Sequence, residues 1–286
     1  MSERLSEAAR AEYPALGKLF KKWEILSGNL KNTELKAPIL LPDLFVEADD
    51  GCGITELIGH IGDFLFEHRN LMDFYGDVRS IQFMLNYAAA GTDFDEMLRF
   101  MQEIKHAAGF RNQFKGIVHV DVSEWLGHSE EKHFIEFLNY LADNSGDWMI
   151  VLTVRNNPKR KADIEAMEAT LSMFLRLETL KLSLPKADYF LGVLKDKLLA
   201  YGIKLTPDAE ALMTETLRLL RKNKYFDGRF TVGILSQDIV YTIYSRPGVK
   251  DEALNARELS EFGPESEYVS RTVQKMEMTK RIGFDA

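Results

Sequence analysis

Cysteine is nearly absent. Cys52 is the only one in 286 residues, so no disulfide can form within the chain and a reducing compartment is its natural setting. Long apolar runs are missing as well. No stretch approaches the roughly 20 residues a membrane-spanning helix needs, and the opening residues MSERLSEAARAEYPAL are charged and amphipathic, unlike a secretory signal. These absences predict a soluble, cytoplasmic protein that does not meet a membrane. There is no basic excess: 36 Lys and Arg stand against 44 Asp and Glu, a net charge of −8, which argues against a dedicated nucleic-acid domain. The six histidines include His128 and His133, but acids or cysteines at zinc-ligand spacing are lacking. Internal repeats and low-complexity segments are absent too.

What is present is ordinary globular composition, 45% hydrophobic and 28% charged, with enough chain for one large domain and a small one. Residues 2–25 place Leu5, Ala8, Tyr13, Leu16, Leu19, Phe20 and Trp23 at helical spacing, with Ser27-Gly28-Asn29 as the stop. A first buried strand is predicted over 37–46, with Pro42 suggesting an edge or a bulge. A helix from Ile54 to about Glu67 follows a glycine turn. Residues 80–85 read equally as a strand or a helix start. A helix is predicted over 93–108, then strand 116–121, helix 130–144, strand 148–154, helix 163–177 and a short strand 178–184.

From Lys186 onward the pattern is helical, and Thr206-Pro207 before acidic residues marks a helix start with Thr206 as N-cap. The fold class expected is α/β: a parallel sheet flanked by helices, followed by a small all-helical domain. The domains read as an N-terminal helical segment (1–36), an α/β domain (37–185), a helical lid (186–250) and a charged, peripheral tail (251–286).

The organising stretch is FVEADDGCGITE, residues 45–56, where a strand runs through a glycine turn into a helix N-terminus. Backbone amides in that layout can cradle phosphate. The pattern G-x-x-x-x-G-K-[ST] is met by Gly53 and Thr55, while Ala48 replaces the first glycine and Ile54 replaces the lysine. Further along, strands end at Asp121 and at Asn156, Arg176 precedes the last strand, and Gly228-Arg229 opens a helix.

In this order and spacing the stations resemble the AAA+ ATPases over roughly residues 15–245, with degenerate Walker A and Walker B motifs, which implies an α/β, P-loop NTPase-like parallel sheet flanked by helices and followed by a small all-helical lid domain. The resemblance implies ATP or ADP with Mg²⁺ as the cofactor. The loop Gly51, Cys52, Gly53, Ile54, Thr55 would then face phosphate, with Thr55 and Asp121 toward the metal. Asn156 takes the place of sensor 1, Arg176 that of the arginine finger and Arg229 that of sensor 2. It also implies protein partners, including AAA+ relatives in a ring.

Two departures bear on chemistry. Losing the lysine removes a charge-assisted contact of about 1.5–3 kcal/mol, and Asp49 and Asp50 add repulsion. The glutamate that would polarise the attacking water is Val122, with Glu124 two residues further on. The reading is therefore a hydrolysis-deficient module with a conformational, scaffolding or regulatory role. Its rival is an unusual ATPase of low activity using Thr55, Asp121 and Glu124. Asp49 or Asp50 standing in for phosphate at the loop amides is a further expectation. Cys52, at a helix N-terminus, reads as packing in the turn or as a reactive thiol. The basic cluster Arg155, Lys159, Arg160, Lys161 reads as solvated surface or as a contact to a neighbouring subunit.

Overall fold

The structure, a computed structural model, describes residues 13–31, 39–72, 80–84, 87, 115–146, 148–223, 225–246 and 253–282. The helix expected over 93–108 lies outside them, as do residues 2–12 of the first helix and 37–38 of the first strand.

Two compact units are present: Met1–Asp49 with Ile54–Leu182, and Asp50–Gly53 with Ser183–Ala286. In the first unit five parallel strands, β1 (Asp43–Ala48), β2 (Ser80–Met84), β3 (Gly116–Asp121), β4 (Trp148–Arg155) and β5 (Leu177–Leu182), lie in the order β2-β3-β4-β1-β5. Helices α1 (Pro14–Leu30), α2 (Ile54–Glu67), α3 (Lys132–Asn144) and α4 (Lys161–Ser172) accompany them. The run WMIVLTV of β4 is buried along its whole length because the strand lies inside the sheet, and its one polar side chain, Thr153, is hydrogen-bonded to His119.

Alternate residues divide between the two faces. Val118, Val120, Ile150, Leu152 and Val154 join Phe134, Phe137 and Leu141 of α3 and Ile164, Met167 and Leu171 of α4 in one core. Residues 80–84, ambiguous by periodicity, pair in parallel with β3 and are a strand.

Helix α1 buries Leu16, Leu19, Phe20 and Trp23, and the Phe20 ring stacks on Phe64 of α2 at 4.2 Å. The stop expected at Ser27-Gly28-Asn29 does not occur, since α1 runs on to Leu30. A tertiary contact overrides the local breaker there. Ser27 Oγ donates to Asn70 Oδ1 at 2.8 Å, and Asn70 Nδ2 donates to the Ser27 carbonyl at 2.8 Å.

The second unit is built on α5 (Ala187–Leu199), α6 (Pro207–Arg221) and α7 (Gly228–Tyr244). Phe190, Leu194, Met213, Leu217, Phe226, Leu235 and Ile239 form its core. Arg221 closes the start of this unit, donating from Nε to the Pro185 carbonyl at 2.6 Å and from Nη2 to the Leu184 carbonyl at 2.9 Å. Thr206 stands at the start of α6, but its hydroxyl does not cap the helix amides; its single proton is shared between Asp208 Oδ1 at 2.5 Å and the Leu254 carbonyl at 2.9 Å.

The segment read as a peripheral charged tail is integral. Leu254, Leu259, Phe262 and Val269, the last on α8 (Glu267–Ile282), are buried in the same core. Lys204 and Thr206 exchange backbone bonds with Leu254 at 2.8 and 2.9 Å, and Thr216 Oγ1 donates to the Phe262 carbonyl at 2.9 Å. Four well-placed apolar residues are enough to anchor a stretch whose average composition is charged.

Candidate functional site

All strands are parallel, so their carboxyl ends share one edge of the sheet, where loops gather in open α/β sheets. At that edge the chain leaves β1 through Asp49, whose amide donates to the Leu182 carbonyl of β5 at 2.9 Å. The Asn156 amide donates to the Ala48 carbonyl at 2.8 Å. Register brings the side chains together: Asn156 Nδ2 donates to Asp49 Oδ1 at 2.7 Å. The side chain that the resemblance puts in the place of sensor 1 thus meets a carboxylate of its own chain. Neither the motif spacing nor the periodicity of the sequence signals that pairing.

Asp121 ends β3 opposite Thr153 of β4. Its Oδ1 accepts from the Ser123 amide at 2.9 Å and from Ser123 Oγ at 2.5 Å, and Ser123 Oγ in turn accepts from the Arg155 amide at 3.0 Å. The carboxylate therefore organises the short 3-10 turn Ser123–Trp125, whose Trp125 is buried in the core. Val122 is fully buried in the sheet core, so its position offers apolar packing where hydrolysis needs a carboxylate. Glu124 lies on the turn, and its Oε2 accepts from the Tyr87 amide at 2.9 Å.

The glycine loop has left-handed backbone at Gly51 (φ 74°) and Gly53 (φ 83°), which only glycine adopts without strain. Residues Asp50–Gly53 cluster with the helical unit. Within it, a Cβ on Gly51 would fall 2.6 Å from the Gly228 amide nitrogen and 2.7 Å from the Phe226 carbonyl oxygen. A Cβ on Gly228 (φ 39°) would fall 1.9 Å from the Gly51 carbonyl oxygen. Two stretches of backbone press together here, which accounts for both glycines without invoking a phosphate.

Cys52 is buried in the turn, the packing role the sequence allowed for, while Thr55 is exposed and Ile54 half-buried in the first turn of α2. No Lys or Arg occurs in residues 48–55. Arg229, in the first turn of α7, donates from Nε and Nη2 to the Tyr189 hydroxyl at 2.8 and 2.5 Å, with its guanidinium 5.7 Å from the ring centre. That aromatic partner gave no sequence signal.

Arg176 stands apart. It directly precedes β5, because the helix expected over 163–177 ends at Ser172. Its carbonyl accepts from the Asp43 amide at 2.8 Å and its Nη1 donates to the Leu40 carbonyl at 3.4 Å. It therefore sits at the amino-terminal edge, a strand length of about 20 Å from the Asp49–Asn156 pair, and cannot serve its own chain's site.

Two buried titratable groups escaped the sequence reading. Asp43, at the amino-terminal edge, is 2% exposed; its Oδ1 accepts from the Ile150 amide at 2.8 Å and its Oδ2 from Ser145 Oγ at 3.0 Å. Burial pushes its carboxyl up to about 6, against the pull of those two hydrogen bonds. His119 on β3 shares 2.9 Å with Thr153 Oγ1 through Nε2, while its buried Nδ1 has no hydrogen-bond partner. Burial pushes this imidazole down to about 4, with the Asp121 charge opposing.

The residues present do not fit a magnesium triphosphate. The loop carries acids and no cation, Asp49 occupies the Asn156 amide, and backbone fills the space against Gly51. Among the described residues, no group of three or more His, Cys, Asp or Glu is placed to hold a metal, and no helix is long and apolar enough to cross a membrane.

No family model matches the sequence, and no curated protein matches it. Among solved structures the chain is similar to domain III of the Thermotoga maritima replication initiation protein DnaA, at 12% identity and a TM-score of 0.42, over 87% of this chain and 91% of that one. It is also similar to a point mutant of Thermotoga maritima RuvB, at 11% identity and a TM-score of 0.46, over 85% of this chain and 72% of that one.

Proposed function

We propose that this chain is a hydrolysis-deficient AAA+ ATPase-like module, a conformational, scaffolding or regulatory part of a larger cytoplasmic protein assembly. The observation that carries the reading is the 2.7 Å bond from Asn156 to Asp49. It joins the loop and the carboxyl end of β4 by a contact internal to the chain, where a nucleotide-dependent relative would join them through phosphate. Val122 in the core and Glu124 turned to the Tyr87 amide support the same reading, because neither supplies a base to water. In a ring of AAA+ relatives, Arg176 on the opposite edge of the sheet would act only on a neighbour's site.

Calorimetry with ATP and Mg²⁺, paired with a phosphate-release assay, tests the proposal. The expected result is negligible turnover, with binding no tighter than about millimolar. Replacing Ile54→Lys together with Asp49→Gly restores the cation and removes the competing carboxylate, and should tighten ATP by about 10- to 100-fold. Brisk hydrolysis by the unmodified chain would overturn the proposal. Tight ATP binding lost on Arg229→Ala would favour the low-activity ATPase instead.

A further inference from the structure

We draw no further inference here: the strongest candidate, the side-chain cluster beside the loop after β3 in which Tyr87 stacks on His128 and both bond Glu131 Oε1, belongs through the Tyr87 amide on Glu124 to the site already described, and nothing in the structure points to a ligand for it.

Discussion

Replacing Asp43 with Asn separates burial of a charge from the hydrogen bonds that the charge accepts. Asn can keep both contacts: its carbonyl oxygen accepts from the Ile150 amide and its NH₂ donates to Ser145 Oγ. Only the charge goes. The Asp43 carboxyl rises from an ordinary value of 3.8 to about 6 on folding, so between those values the folded chain holds a proton that the unfolded chain releases. The favourable contribution is complete below pH 3.8 and is lost as pH rises through about 6. At about 1.4 kcal/mol per unit, the ionised carboxylate costs the folded state about 3 kcal/mol near neutral pH.

Denaturant unfolding of the unmodified and Asp43→Asn chains from about pH 3.5 to 8 measures this term. The wild-type curve alone is not diagnostic. His119 is lowered from 6.5 to about 4, so its contribution runs the other way, gained as pH rises through that window. The difference between the two chains cancels His119 and every exposed carboxylate. The stability of Asp43→Asn relative to wild type should climb by about 3 kcal/mol between pH 3.5 and 7, with its midpoint near 5. A flat difference, or one that falls with pH, would refute the reasoning and mean that the carboxylate is solvated or paired.

Other outcomes follow from single contacts. Gly51→Ala should cost about 1–2 kcal/mol for its left-handed backbone alone, and more because its Cβ would overlap the Gly228 amide; thermal melting reads the loss. Arg221→Ala should destabilise the helical unit by about 2–3 kcal/mol by orphaning the Leu184 and Pro185 carbonyls. Arg221→Lys should not rescue it, because an ammonium cannot present two donors in a fixed fork; hydrogen exchange over residues 183–221 is the check.

Much of the architecture was legible from local pattern. Apolar runs placed β3, β4 and β5, glycines marked the loop, and the missing lysine could be read directly. These properties depend on residues a few positions apart, which share one backbone periodicity. The first strand, expected over 37–46 with Pro42 at an edge or a bulge, begins only after Pro42, at Asp43, and lies inside the sheet between β4 and β5. Tertiary structure decided the rest. Asp49 and Asn156 lie 107 positions apart, and only the register of β1 against β4 makes them partners. Parallel strand direction sends Arg176 to the far edge of the sheet, and the core shared with α3 and α4 buries Val122 just past the end of β3. Gly51 needs no side chain because the backbone at Gly228 lies against it, and the charged stretch after residue 250 holds to its core through a few apolar anchors. Spacing along a chain states which side chains are available; strand register and packing determine which of them meet.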